Sequence, residues 1–475
     1  MERRVAFVKA DCETCQLVAP LLAQLVSDGV IHEVVSQDAE VPGLTADSFT
    51  YDDTLERSWR ADIETVPTLL TLHDGDETER TVGWHRGPWE QMLGVSDLAP
   101  ELPEQRPGCG AKNVDHEMVD ALEAMFGDVA TTSRRITFGT AEDPVEAMFD
   151  RGWSDGLPLV PPTPERVERM LGGTSRERAD IVAVIPPNLV KASVEKVAIN
   201  AVMAGCRPEY LPVVIAGLEA VCNDEFNMHG VLATTMGVGP ILVVNGPIRH
   251  ELQMNSGINA LGQGNRANAT IGRAVQLCVR NIGGGRPGEI DRATHGQPGK
   301  LGLCFAEDEE GSPWPSLAEV QGLPAGTNAV TAFCGEAPRT IVDQMSRTPE
   351  SLTASIAQVL LSNLHPRVTG FDTMIVVCPE HMARYSEAGW SAERFETELR
   401  SHLDIEVDTI LRGVDGIGEG IPRGLGFEGS QLPKFREGGI LVVHAGGPAG
   451  LFSSVCGGWV SGEMGSNPVT KEITT

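Results

Sequence analysis

The sequence predicts an α/β protein made of a small N-terminal unit and a larger strand–helix unit. Three observations carry that reading. Short apolar runs (5–8, 69–72, 181–185, 374–377, 440–443) alternate with stretches whose apolar residues recur at three- and four-residue spacing. A proline-rich stretch, DLAPELPEQRPGCGAK at 97–112, reads as a connection between units. The 475 residues are 41% hydrophobic and 22% charged, an ordinary globular composition, and no apolar run reaches the roughly 18 residues that span a bilayer. The organisation expected is a first domain at 1–98, a linker at 99–112, a first α/β lobe at 113–310 and a second at 311–475.

Charge narrows the function classes. With 37 Lys+Arg against 66 Asp+Glu, the net charge is −29. Such a chain repels phosphate backbones and anionic lipid surfaces, so neither a nucleic acid nor a membrane is an expected partner. The opening MERRVAFVKADCETC has no long apolar segment of a signal peptide. A cytoplasmic protein with reduced thiols is expected, its ten cysteines serving as thiols, ligands or redox groups rather than staples. A homo-oligomer is left open.

In the first unit, residues 5–8 read as a buried strand, and Leu17, Val18, Leu21, Leu22 and Leu25 mark a helix after it. Between them lies Cys12-Glu13-Thr14-Cys15. A cysteine where a strand feeds a helix N-terminus has its thiolate stabilised by the dipole and the unpaired N–H groups. A second thiol three residues on can close a disulfide ring. Glu13, beside the nucleophile, is expected to raise the Cys12 pKa. Beyond Val66-Pro67-Thr68, residues 69–72 read as a strand. A turn at Asp74-Gly75-Asp76, a second strand ending at Gly83 and a helix over 88–93 follow. Half of a zinc site and two inert thiols are the alternatives for the cysteine pair, but neither His32 nor His73 has ligand spacing.

Cys12-x-x-Cys15, Pro20 five residues beyond it and Pro67 together resemble the thioredoxin superfamily. The resemblance covers nearly all of 1–98. It implies a thioredoxin-like domain, a redox-active pair at Cys12 and Cys15, and a cis proline at Pro67 lying against the disulfide. The chain departs from the pattern with Glu13-Thr14 inside the motif, no Trp before Cys12 and a long polar segment at 37–60. In the linker, Cys109 sits between two glycines and reads either as an electron shuttle or as a free surface thiol.

The large unit opens with helices expected over 118–126 and 142–149, a strand at 157–160 and a helix from Pro164 capped by Thr163. A buried strand at 181–185 and helices over 194–204 and 211–221 follow. A strand from Gly239 ends in Asn245-Gly246-Pro247, and a loop rich in Gly and Asn leads into a helix over 267–279. Gly and Asn accept unusual backbone angles, and a helix N-terminus flanked by Arg266 and Arg273 can hold an anion. Asn245, Asn265, Arg266, Asn268 and Arg273 are therefore the expected binders of a small anionic substrate, with a purely structural loop as the alternative. The segment 438–448 repeats the shape of 239–247, and 374–379 echoes 157–161. This leaves open an internally duplicated, two-lobed unit or a chance alternation of strands and Gly-Pro turns. Cys206, next to Arg207, and Cys456, before two glycines, are the candidate catalytic thiols. Cys222, Cys278, Cys304 and Cys378 lie in apolar runs and read as core. The spacing supports no metal site, and no motif requires a cofactor.

The segments at 155–158, 200–210 and 266–273 resemble a poorly characterised bacterial family associated with small cysteine- or selenocysteine-containing proteins of the UGSC type. The resemblance covers 140 to the end and implies thiol-linked chemistry and such a small protein as partner. Two functions follow. One is a thiol-dependent enzyme for reductive cleavage or sulfur transfer, whose catalytic thiol is recycled by Cys12, Cys15 and Pro67. The other is a lyase or hydratase working through Asp155, His229, His295 or Glu307, with the first unit only protective.

Overall fold

The computed structural model describes residues 2–474 apart from 116, 117, 119–121, 123–125, 127–132, 135, 137, 140, 141 and 463. The helix expected over 118–126 therefore falls largely outside the described residues. The chain folds as two compact units, 1–136 and 137–475. It is a mixed helix-and-sheet protein.

In the first unit, β1 (Glu2–Val8), β2 (Glu33–Ser36), β3 (Thr50–Tyr51), β5 (Thr68–His73) and β6 (Asp76–Val82) form one sheet in the order β3-β2-β1-β5-β6. β1 and β2 run parallel, while β5 and β6 are antiparallel to their neighbours. The central strand β1 buries Val5, Ala6, Phe7 and Val8 in succession, as a strand covered on both faces does. α1 (Glu13–Ser27) packs Val18, Leu22 and Leu25 into this core. α2 (Glu56–Arg60) and α3 (Arg86–Leu93) complete the unit, the latter anchored by Trp89, whose indole donates to the Gly83 carbonyl at 3.1 Å.

The stretch expected as a linker is built into the first unit instead. β8 (Gln105–Arg106) pairs with β7 (Trp84–His85), and β9 (Cys109–Gly110) pairs antiparallel with β4 (Thr65–Val66). Its prolines punctuate an extended arm whose backbone bonds are made to the domain, as buried N–H and C=O groups require. Thr14 Oγ1 donates to the Pro107 carbonyl at 2.6 Å, and the Ala111 amide donates to the Glu64 carbonyl at 2.9 Å. Gly108 is needed for this approach: a Cβ there would lie 2.4 Å from Thr65 Cγ2 and 2.5 Å from the Val66 oxygen.

The second unit begins with α4 (Pro144–Asp150) and α5 (Pro164–Leu171), each with proline in its first turn. Residues 157–160, expected as a strand, form no strand: 157 lies in a bend and 158–160 take no regular structure. β10 (Ile181–Ile185) and β11 (Val190–Ser193) form a hairpin with one face exposed, so β10 is half-buried rather than buried. α6 (Val194–Ala204) and α7 (Leu211–Val221) match their expected bounds. α8 (Met228–Ala233), α9 (Ile248–Glu251) and α10 (Arg266–Asn281) flank β12 (Gly239–Asn245).

One eight-stranded sheet organises the rest, and its two halves repeat a strand order. In the first half, β12 lies between parallel β13 (Leu303–Ala306) and antiparallel β14 (Ala329–Gly335). In the second, β16 (Phe371–Val377) lies between parallel β19 (Phe435–His444) and antiparallel β20 (Phe452–Val460). β14 and β20 meet only through Gly335 and Gly458. The strand after β14, β15 (Arg339–Val342), crosses to pair with β20; the strand after β20, β21 (Val469–Glu472), crosses to pair with β14. β17 (Asp404–Glu406) and β18 (Gln431–Pro433) form a separate pair. The repeat differs from the one expected: β12 corresponds to β16 and β13 to β19, so the similar segments 239–247 and 438–448 occupy unlike places.

Burial alternates along these strands. Ile241, Val243, Phe305 and Phe333 face Met374, Val376, Leu441 and Val443 in a core between the two half-sheets. Leu242, Val244, Val330 and Ala332 face the other way, onto α6, α7 and α10. Ile375, Val377 and Val455 pack on α12 (Pro349–Leu361), α13 (Pro379–Glu387) and α14 (Ala392–Ser401). With both faces covered, each strand needs a continuous apolar run. α11 (Leu317–Val320) follows β13 and starts with a Ser316/Glu319 capping box. The expected pair of lobes, 113–310 and 311–475, is thus replaced by one sheet packed in four layers.

Candidate functional site: a three-thiol centre

Cys12 is the N-cap of α1, in extended backbone, and its Sγ accepts a hydrogen bond from the Cys15 amide at 3.2 Å. The same sulfur lies 3.3 Å from the Val66 carbonyl oxygen, to which the protonated thiol donates. Pro67, next in the chain, follows a cis peptide bond. The Cys12 thiol is lowered to about 5, chiefly by the Cys15 side chain, with burial opposing and the Cys15 amide, Cys109 and the Thr14 amide assisting. The Cys15 thiol is driven strongly upward by burial and by the neighbouring Cys12. One sulfur of the pair is thus a thiolate at neutral pH and the other holds its proton, the division that an attacking and a resolving thiol require.

The expectation for Glu13 is reversed. Its carboxylate points outward and pairs with Arg106 at 2.6 Å, and the Cys12 pKa falls rather than rises. Cys109 is brought to the pair by β9, where it stands directly opposite Val66. Cys109 is among the groups that help to lower the Cys12 thiol. Burial and the adjoining Cys12 raise the Cys109 thiol, while Lys9 acts the other way. Cys12 and Cys15 are 0% exposed, whereas Cys109 is half-buried.

In the second unit the expected thiols are core residues. Cys206 is buried, donates to the Thr270 carbonyl at 3.3 Å and is pushed up to about 12 by burial; Arg266 and Arg273 oppose that rise without overcoming it. Cys456 lies in β20 opposite Met374, between the half-sheets, and is likewise pushed up to about 12 by burial. The glycines serve packing beside Cys456 and the left-handed C-cap of α6 beside Cys206, not access to either thiol.

The expected anion loop is held by its own side chains. Asn265 caps α10 by accepting from the Asn268 amide at 3.0 Å and donates to the Gln253 carbonyl at 2.8 Å. Asn268 is buried and exchanges two hydrogen bonds with the Asn255 backbone, at 3.0 and 2.8 Å. Arg273 makes a two-pronged ion pair with Asp155, at 2.7 and 2.8 Å, and Arg266 Nε donates to the Gly205 carbonyl. These groups spend their hydrogen bonds on the fold, which favours the structural alternative for the loop.

Asn245 belongs to another cluster, at the ends of β12 and β13. Its Nδ2 donates to Glu307 at 2.6 Å and to Glu309 at 3.0 Å. Glu307 is buried and raised to about 7 by that burial, against the Asn245 and Leu317 hydrogen bonds. Arg249, also buried, binds Glu310 at 3.0 Å and the Glu307 carbonyl at 2.6 Å. Of the other acid–base candidates, Asp155 is engaged by Arg273, and His229 and His295 are exposed.

One pair escaped the sequence reading. Cys378 is the N-cap of α13 at the end of β16, and its neighbour in the helix is His381. Burial raises the Cys378 thiol, but hydrogen bonds and charge from His381 outweigh it and the net shift is downward. His381 in turn contacts Ser453 Oγ at 2.7 Å and the Asp343 carbonyl at 3.0 Å. The signal was available as Cys-Pro-x-His after an apolar strand, where proline at N1 marks the cysteine as the cap.

The described residues thus form an α/β protein with one acidic-thiol centre in its first unit and a buried Cys–His pair in its second. No protein-family model, curated protein or solved structure matches the chain. Among the described residues no group of three or more His, Cys, Asp or Glu is placed to hold a metal ion, and no helix is long and apolar enough to cross a membrane.

Proposed function

We propose that this chain is a thiol–disulfide oxidoreductase whose first unit, of thioredoxin-superfamily type, performs the exchange. The observation that carries the reading is Cys12 at the α1 N-cap, lowered to about 5 beside a Cys15 held protonated. The parallel β1–β2 and antiparallel β1–β5–β6 arrangement supports the family resemblance. The Cys12/Cys15 dithiol reduces a disulfide by way of a mixed disulfide on Cys12 that Cys15 resolves, and the oxidised pair is reduced again by an external dithiol. Fusion gives the module an effective concentration of about millimolar toward any site on its own chain that it can reach. There the thiol best suited to a covalent step is Cys378, with His381 as its base, in place of Cys206 or Cys456. The resemblance of the large unit makes a small cysteine- or selenocysteine-containing protein the natural class of partner.

Reduction of insulin disulfides by the full chain with a dithiol reductant tests this. The wild type is expected to exceed Cys12→Ser at least 100-fold; equal rates would overturn the reading. Glu307 favours a second reading, acid–base catalysis as in a lyase, because a carboxyl near pH 7 can both give and take a proton.

A further inference from the structure

We infer that Cys109 is the third member of the exchange site and the thiol through which the buried Cys12–Cys15 pair meets external disulfides. The inference rests on the exchange reading above and deepens it.

Access is the first argument. Cys12 has no exposed surface, so a disulfide in solution cannot approach its sulfur along the S–S axis while the 99–112 arm is docked. Cys109 is the only one of the three thiols with exposed surface. Placement is the second. The β4–β9 bridge sets Cys109 opposite Val66, whose carbonyl is the partner of Cys12 at 3.3 Å, so both cysteines are placed at the same residue. Construction is the third. The arm is fastened on either side of Cys109 by Thr14 to Pro107, Arg106 to Glu13 and Ala111 to Glu64, and Gly108 lets its backbone lie on Val66. An unconstrained surface cysteine has no such mounting.

The exchange balances. The Cys109 thiol gives its proton to solvent, and its thiolate attacks an external disulfide RS–SR′. A Cys109–SR bond forms and R′S⁻ leaves. The Cys12 thiolate attacks the Cys109 sulfur, forming Cys12–Cys109 and expelling RS⁻. Cys15 then gives up its proton and attacks Cys12, closing Cys12–Cys15 and returning Cys109 as a thiolate. Two electrons pass from the Cys12/Cys15 dithiol to RS–SR′, which leaves as two thiols.

The test uses the full-length reduced chain, the aromatic disulfide DTNB as probe, and non-reducing peptide mapping. Wild type is expected to form Cys12–Cys15. Cys15→Ser is expected to stop at a Cys12–Cys109 bond with two thionitrobenzoate ions released per bond. Cys109→Ser is expected to form Cys12–Cys15 at least 10-fold more slowly. A Cys15→Ser chain holding a stable thionitrobenzoate adduct on Cys12, or a Cys109→Ser chain as fast as wild type, overturns the role of Cys109 and leaves the exchange reading standing. Failure of wild type to form Cys12–Cys15 at all overturns both.

Discussion

Gly108→Ala should uncover Cys12. The added Cβ would stand 2.4 Å from Thr65 Cγ2 and 2.5 Å from the Val66 carbonyl oxygen, and a backbone oxygen cannot swing away. Forcing such an overlap costs about 1–3 kcal/mol. The strain falls on the docked arm and not on the undocked one, so it shifts that equilibrium directly. At about 1.4 kcal/mol per factor of ten, the open population rises about 5-fold to about 150-fold. Cys12 has no exposed surface when the arm is docked, so its alkylation by iodoacetamide reports the open state. At pH 8, far above its pKa of about 5, Cys12 is a thiolate with the arm docked, so a faster rate reports the open population. The assay is peptide-resolved alkylation of the reduced chain at pH 8, with Gly110→Ala as control, since nothing lies within 4 Å of a Cβ there. An unchanged Cys12 rate in Gly108→Ala would refute the argument that the arm shields the thiolate.

Four further outcomes are expected. The pH dependence of Cys12 alkylation should have its midpoint near 5, and Cys15→Ser should move it upward, since the Cys15 side chain is the largest contributor. The same lowered pKa stabilises the reduced fold above the unfolded thiol pKa of about 8.5, an advantage lost as pH falls toward 5; the stability difference from Cys12→Ser by denaturant titration should follow that course. For Glu307 the sign is opposite: a carboxyl raised from 4.5 to about 7 costs stability once ionised, so Glu307→Gln should gain up to about 3 kcal/mol above pH 7 and nothing below about 4.5, read as melting temperature against pH. Arg273→Ala, which strands Asp155, should cost about 3 kcal/mol in melting experiments without any change in phosphate affinity.

Local patterns were legible where one rule sufficed. The bounds of α6 and α7 followed from apolar spacing, and Thr163-Pro164 marks a helix start that the fold uses. Cys12 and Cys15 were found because strand, cap and helix are adjacent in sequence. The arm was misread because proline and glycine exclude helix and central strand but do not exclude short edge pairings, and β9 depends on β4, some 40 residues earlier. Arg266, Arg273 and Asn265 looked like a vacant anion site because their partners, Gly205, Asp155 and Gln253, are distant in sequence or unremarkable in type. Cys206 and Cys456 carried chemistry on paper through neighbouring charge and glycine, but desolvation dominates for a thiol with almost no exposed surface. Cys378 was passed over because an apolar run predicts burial and says nothing of the histidine one turn ahead.

The crossing of β15 and β21 bears on how the second unit arose and how it can be cut. Each half of the sheet lends its last strand to the other half, in the manner of two copies that exchange an arm across a two-fold axis. A chain of half this length, pairing with itself, would reproduce the arrangement, and fusing two such chains would free each half to diverge. Neither half is a separable module: severed between β15 and α12, each fragment carries a strand whose berth lies on the other and presents an open edge where its partner's strand belongs. The two fragments are accordingly complementary, each holding the strand that covers the other's open edge.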